Sequence, residues 1–119
     1  WVISDRFSDS TYVYQGVARG LGVDAVRKLH EAAIRTVTPD LTLILDLDPA
    51  AGLARTGKRN AGPEDRYERF DAVFHAQLRA AFRDIATAEP GRCIIIDGAR
   101  DPDQVAQDIW RSVMERLQP

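Results

Sequence analysis

The sequence has one cysteine, a small net charge and no long apolar run, and each shortage excludes a class of protein. Cys93 alone can form no internal disulfide, and its apolar neighbours are typical of a buried, unreactive thiol. The apolar runs are too short for a transmembrane helix, and we expect no secretory signal. A net charge of −2 gives no reason to expect nucleic acid or a membrane as a partner. These features predict a cytoplasmic protein.

The length and composition predict a single globular unit. The chain has 119 residues, of which 45% are hydrophobic and 29% charged, as in ordinary globular domains. The first residue is Trp1 rather than an initiator methionine, and it opens an apolar run that is typical of a strand. Natural domains rarely begin in their core. We therefore expect residues 1–119 to be one partial domain, the carboxy-terminal part of a larger one.

Hydrophobic periodicity and capping residues predict strands that alternate with helices. The continuous apolarity of residues 41–45 is typical of a strand buried on both faces, as in a parallel sheet. The pattern predicts an α/β fold, a parallel sheet with flanking helices. The predicted strands are residues 1–4, 41–47 and 92–96. The predicted helices are residues 10–19 (ended by Gly20 and Gly22), 24–37 (capped by Asp24), a short one from Pro49, 63–87, and one capped by Asp101.

Asp5 and Arg6 follow the first predicted strand and precede a helix. This places both at the carboxyl end of a sheet, where open α/β folds bind ligands. An arginine fork grips phosphate oxygens, and an aspartate can orient a metal, a water or the arginine. The alternative is an ordinary surface ion pair, which is the commoner role of an isolated Asp-Arg dipeptide.

Three ordered segments resemble the thymidylate kinase family. Residues 5–16, DRFSDSTYVYQG, resemble the family's DR[YFH]-x-x-S…AYQG segment, and residues 39–49 and 65–68 resemble later segments of the same family. The resemblance covers nearly the whole chain and implies the fold of a phosphate-loop nucleoside monophosphate kinase. The family's phosphate loop, Gly-x-x-x-x-Gly-Lys-[Ser/Thr], does not occur in these 119 residues.

The resemblance implies a role for each residue of the first segment. Arg6 is expected to bind the phosphate of dTMP, and Asp5 to help place Mg²⁺ and hold Arg6. Considered alone, Ser10 and Thr11 would satisfy free N–H groups at a helix start, and Tyr14 would pack in the core. The resemblance instead implies that Ser10 belongs to the substrate-binding residues, that Thr11 and Gln15 lie on the base side, and that Tyr14 lies against the sugar, leaving no room for a 2′-hydroxyl.

A basic segment around residues 55–66 resembles the mobile lid of these kinases. Such a run is usually a solvated face, but a lid closes its cations over the transferring phosphoryl group. The lid residues implied are Arg55, Lys58, Arg59 and Arg66, followed by Tyr67 on the nucleoside side and Glu68 on the metal side. His30 and His75 have no partner at metal-ligand spacing, and neither receives a role.

The resemblance as a whole implies an enzyme that transfers the γ-phosphoryl group of Mg·ATP to dTMP, giving dTDP. The 119 residues alone are expected to be inactive, since they carry no phosphate loop. A homodimer packed through the helix at residues 24–37 is also implied. The alternative function is a non-catalytic nucleotide-binding or assembly module derived from the same fold.

Overall fold

A computed structural model of the chain describes residues 1–34, 37–56 and 72–118. Within them, helices surround a short parallel sheet. The elements in chain order are α1 (Ser8–Thr11), which continues as a π-helix (Tyr12–Ala18), α2 (Val23–Ile34), β1 (Thr42–Asp46), α3 (Pro49–Thr56), α4 (Ala72–Ala88), β2 (Cys93–Asp97) and α5 (Pro102–Leu117).

The predicted pairing of the second and third strands is confirmed. β1 and β2 run parallel, with Thr42 opposite Cys93 and Asp46 opposite Asp97. Ile44 and Cys93 are buried against Ala86 of α4, while α5 packs against β2. The described residues therefore form the predicted α/β arrangement, a parallel sheet with flanking helices.

The predicted strand at residues 1–4 is not formed. Trp1, Val2 and Ile3 are 82–95% exposed and adopt no regular structure. A strand needs a neighbour for its backbone N–H and C=O groups, and no described strand pairs with this segment.

The first helix is predicted at residues 10–19, but it begins at Ser8 and is π-helical from Tyr12 to Ala18. A Cβ added at Gly16 would lie only 3.1 Å from the Cα of Val23, so glycine permits the close approach of α2. Gly20 and Gly22 have positive φ angles and end the helix as predicted. Long π-helical segments are rare and are often found at functional sites.

Asp24 is not the N-cap of α2, which corrects the prediction. The carbonyl of Gly22 accepts the first helical hydrogen bond, from the Val26 N–H at 3.3 Å, so Asp24 lies inside the first turn. Val26 of this helix is buried, but Leu29, at helical spacing from it, is 70% exposed. Helix α4 ends at Ala88, close to the predicted end, and its predicted start at residue 63 lies outside the described residues.

The predicted cap of α5 is confirmed. The Asp101 carboxylate accepts a hydrogen bond from the Asp103 N–H at 2.9 Å, and Pro102 occupies the first helical position. Within the described part of the chain, no helix is both long and apolar enough to cross a membrane.

A buried ion pair ties α1 to the amino-terminal side of the sheet. The Arg92 guanidinium donates to both carboxylate oxygens of Asp9, at 2.7 and 2.8 Å, and to the Thr42 hydroxyl at 2.8 Å. The Arg92 and Asp9 side chains are 13% and 7% exposed. Hydrogen bonding to Asp9 raises the pKa of Arg92 well above its ordinary value, so the guanidinium stays charged.

A second ion-pair cluster fastens α4 to the carboxyl end of β1. Arg79 donates to the two Asp46 oxygens at 2.7 and 2.9 Å, and Arg83 donates to Asp46 at 2.8 Å. Arg79 also reaches Asp48 at 3.2 Å. The Arg79 hydrogen bonds, with Arg83 assisting, hold the pKa of Asp46 below its ordinary value. We call these four residues the Asp46 cluster.

Replacing Arg92 by methionine should strongly destabilise the fold. The Asp9 carboxylate would stay buried without a cation, which costs about 3–5 kcal/mol in other proteins. Urea unfolding measures the loss. Arg111→Met is the matched control, because Arg111 pairs at the surface and should cost about 1 kcal/mol or less. The double variant Asp9→Leu/Arg92→Met should recover part of the loss; a double variant no more stable than Arg92→Met would contradict the ion-pair explanation.

The Asp46 cluster should make stability depend on acid pH. Because the pKa of Asp46 is lower in the folded chain, the unfolded chain binds more protons as pH falls below about 4. The stabilisation is therefore present at neutral pH and is lost as pH falls through the lowered value. The urea midpoint of the wild type should exceed that of Asp46→Asn at pH 7, and this difference should become smaller as the pH falls to 3. The exposed Asp24→Asn is the control, and a pH-independent gap between wild type and Asp46→Asn would refute the idea.

Candidate functional site

A cavity of about 430 Å³ lies between the loop before α1 and the amino-terminal half of α4. Its walls combine an acid, a cation and a histidine with aromatic and aliphatic side chains. The lining residues are Asp5, Arg6, Tyr14, Phe74, His75 and Leu78. The cavity thus brings together three residues that the sequence singles out, Asp5, Arg6 and Tyr14.

Arg6 is held in an unusual conformation at the mouth of this cavity. Its φ of +67° is in the left-handed region, which costs a non-glycine residue roughly 1–2 kcal/mol. The Ser4 hydroxyl donates to the Arg6 carbonyl at 2.9 Å. The guanidinium carbon lies 5.2 Å from the centroid of the Tyr14 ring, a cation–π contact. Strain of this kind is often found at ligand sites.

The expected contact between Asp5 and Arg6 is not formed. Within the described residues, neither side chain forms an ion pair, and the Tyr14 ring orients the guanidinium instead. Tyr14 in turn packs edge-on against Phe82, with ring centroids 6.4 Å apart, and against the buried cluster of Val13 and Leu78. The π-helix therefore positions Arg6 through the aromatic ring that it carries.

Helix α4 supplies the opposite wall. Phe74 and His75 follow each other in its first turns, with their rings 5.9 Å apart in an edge-to-face arrangement. Leu78, one turn later, is 7% exposed and joins the cavity to the core. The Nε2 atom of His75 is buried and has no hydrogen-bond partner among the residues that the structure describes.

The other predicted site residues lie elsewhere. Ser10 and Thr11 are in α1 and Gln15 is in the π-helix, and none of them lines this cavity. The Ser10 N–H donates to the Phe7 carbonyl at 3.1 Å, which fits its predicted place near a helix start. Arg55 is in α3, but its side chain is outside the described part of the structure. Outside the described residues altogether lie Lys58, Arg59, Arg66, Tyr67 and Glu68.

A larger cavity, of about 770 Å³, lies between the π-helix, α2 and α4. It is lined by apolar side chains such as Val17 and by charged ones such as Arg27 and Glu31. None of the predicted site residues that the structure describes lines it. The smaller cavity is the better candidate despite its size, because it combines an oriented cation with an apolar wall.

The sequence motifs assign no site role to Phe74, His75 or Leu78 of α4, although all three line the cavity. Phe74 and Leu78 belong to a helical apolar stripe, which predicts core packing but not that the stripe reaches the cavity. His75 adjoins that stripe without a metal-ligand partner. Arg79 and Arg83 are one helical turn apart, and that spacing is the one signal that could have indicated a shared acidic partner.

The described residues hold no preformed metal cage. No group of three or more histidine, cysteine or acidic side chains in the described ranges could bind an ion. Asp5 offers a single carboxylate beside the cavity. This arrangement fits Mg²⁺, which usually takes one or two carboxylates and completes its shell with water and substrate phosphates.

Comparisons with known proteins point to a single family. A family model described as thymidylate kinase matches residues 1–109. The chain is 46% identical to the thymidylate kinase of Solidesulfovibrio magneticus over 98% of this chain and 58% of that protein. It is 43% identical to the enzyme of Deinococcus radiodurans over 97% of this chain and 55% of that protein. For the thymidylate kinase of Magnetococcus marinus, the identity is 48%, over 98% of this chain and 55% of that protein.

The chain thus spans a little over half the length of these relatives. The family model and the identities extend over both walls of the cavity, from Asp5 to Leu78. The parallel strands and flanking helices of the chain are those of the phosphate-loop nucleoside monophosphate kinase fold. The chain belongs to the thymidylate kinase family.

Proposed function

We propose that the protein carrying this chain transfers the γ-phosphoryl group of ATP to dTMP, giving dTDP. The observation that supports this most directly is the cavity in which Arg6, oriented by Tyr14, faces Phe74 and Leu78. A guanidinium suits the phosphate of a nucleotide, and an apolar aromatic wall suits its sugar and base.

In this proposal Arg6, whose guanidinium carbon lies 5.2 Å from the centroid of the Tyr14 ring, binds the acceptor phosphate through its N–H groups. Tyr14 lies against the deoxyribose and excludes a 2′-hydroxyl. Thr11 and Gln15 read the polar edge of thymine, and Ser10 belongs to the same substrate-binding set. They follow one another along the same α–π helix that carries Tyr14, so one element would present both the sugar-side and the base-side groups.

Mg²⁺ is the expected cofactor, with Asp5 as one carboxylate near it and Glu68 as a second candidate. When bound, Mg²⁺ would neutralise phosphate charge as the phosphoryl group moves. The lid cations Arg55, Lys58, Arg59 and Arg66 would close over that group, and Tyr67 would contact the nucleoside. Catalysis by this set would rest on positioning and charge, with no covalent intermediate.

The ATP site is proposed to depend on residues beyond this sequence. These 119 residues contain no Gly-x-x-x-x-Gly-Lys-[Ser/Thr] loop, so they offer the donor phosphates no cradle of backbone N–H groups and no lysine. We therefore propose that residues 1–119 are a partial domain and are inactive alone. A non-catalytic nucleotide-binding or assembly module derived from the same fold is the second candidate, and it would be favoured if the gene upstream of Trp1 also encoded no such loop.

We also propose a cytoplasmic homodimer that packs through α2. Leu29 on this helix is 70% exposed, and Leu21 just before it is 60% exposed. Val37 is likewise 60% exposed. The exposure of these apolar side chains, on α2 and beyond its two ends, is the observation that supports the proposed interface.

The central test measures ADP release on addition of dTMP. The full-length gene product that contains these residues should turn over dTMP with Mg·ATP, and the 119-residue chain should show no turnover above background. Thymidine, which has no phosphate to accept the group, is the matched control substrate. Turnover by the short chain at the full-length rate would contradict its proposed inactivity. A full-length protein that binds dTMP without turnover would instead favour the non-catalytic module.

Arg6→Ala and Arg59→Ala should separate the two arginine roles in the full-length protein. Loss of a charge-assisted contact to the acceptor phosphate should weaken dTMP binding by on the order of 2–3 kcal/mol. Arg59→Ala should lower kcat with little change in dTMP affinity, because a lid cation acts on the transferring group. Calorimetric titration and steady-state kinetics provide both numbers, with the exposed Arg111→Ala on α5 as control. The opposite pattern would show that the roles are exchanged.

A further inference from the structure

His75 lines the cavity and carries a buried ring nitrogen for which no hydrogen-bond partner has been assigned. Its Nε2 atom is buried and unpaired among the described residues, while its ring is held edge-to-face against Phe74 at 5.9 Å. Buried polar atoms in native proteins are nearly always hydrogen-bonded, since leaving one unpaired destabilises the fold. Because His75 is also one of the residues that line the cavity, its unpaired Nε2 atom indicates a partner that arrives with the ligand.

The surroundings of His75 indicate the chemistry of that partner. Arg6 and Asp5 line the same cavity, whereas Phe74 and Leu78 offer no hydrogen-bonding group beside the imidazole. Arg6 is already oriented over Tyr14 and supplies positive charge to the cavity. A ligand group that accepts hydrogen bonds from both sides of the cavity must have several acceptor oxygens, as a phosphate does.

We propose that the Nε2–H group of His75 donates a hydrogen bond to a phosphate oxygen of the bound nucleoside monophosphate, with Arg6 binding the same phosphate from the other side. This inference rests on the proposed function and adds a binding residue to it. His75 is carried by α4, and Arg6 by the loop before α1, so the phosphate would join the two walls. The acceptor group would then be held at two points and could not swing about the Arg6 contact.

The Asp46 cluster gives this arrangement its rigidity. Arg79 follows His75 by one helical turn and is fastened to the end of β1 by two hydrogen bonds. The imidazole is therefore presented from a helix that is fixed against the sheet, one turn from its attachment point. Sites carried on such rigid elements hold their geometry better than sites on loops.

Calorimetric titration of the full-length protein with dTMP and with thymidine tests the contact. His75→Leu removes the donor and should raise the Kd for dTMP about tenfold, while leaving the Kd for thymidine unchanged. His75→Gln places an amide N–H near the Nε2 position and should keep the dTMP Kd within about threefold of wild type. His75→Asn keeps a polar side chain that is too short to reach and should behave like His75→Leu. Gln77→Leu, exposed on the same helix, is the matched control.

Each possible result of these titrations either supports or contradicts the contact between His75 and the phosphate. Equal weakening of dTMP and thymidine by His75→Leu would place the contact on the nucleoside and overturn the inference. An unchanged dTMP Kd in both His75→Leu and His75→Asn would also overturn the inference. So would a His75→Gln variant whose dTMP Kd is raised as much as in those two variants. Should His75→Leu unfold, His75→Asn and His75→Gln still provide the comparison. A wild-type protein that fails to bind dTMP would overturn the proposed function itself, together with this inference.

Discussion

The attachment of α4 to the end of β1 is the interaction on which the rest of the described structure depends. Asp46 accepts hydrogen bonds from Arg79 and Arg83, so a single carboxylate fixes the helix against the sheet. Everything that α4 contributes follows from this attachment. Its amino-terminal half forms one wall of the candidate site, and its later residue Ala86 packs on Ile44 of β1. The ion pairs thus set the position of both the core and the site.

The opposite wall is built by local strain and aromatic contact rather than by ion pairs. Arg6 takes a positive φ that places its guanidinium over Tyr14, and Tyr14 is held by Phe82 and the buried Val13 cluster. The π-helix brings Tyr14 to that position. The cation is thereby oriented without a carboxylate partner among the described residues, which leaves its charge available for a ligand anion. An Asp5–Arg6 ion pair would have neutralised that charge.

Most of the secondary structure could be predicted from the sequence because its signals are local. The positions of β1 and β2, the end of the first helix at Gly20 and Gly22, and the Asp101 cap of α5 depend on residues close in the chain. The failures involve distant neighbours. Residues 1–4 have the composition of a strand but pair with no described strand, and composition cannot supply a neighbour. The π-helical winding of residues 12–18 accompanies close packing of Gly16 against Val23, and the local sequence pattern does not predict this winding.

For the candidate site, too, some features follow from the sequence and others only from the folded structure. The sequence by itself determined the order of Asp5, Arg6 and Tyr14 and the family resemblance that these residues carry, because a motif is a property of spacing along the chain. Only the tertiary structure decided that Phe74, His75 and Leu78 face them, since α4 follows some sixty residues later and reaches the cavity through its hold on β1. It also decided that Tyr14, rather than Asp5, orients Arg6. Contacts between segments so far apart depend on how helices pack, and packing is a property of the folded chain alone.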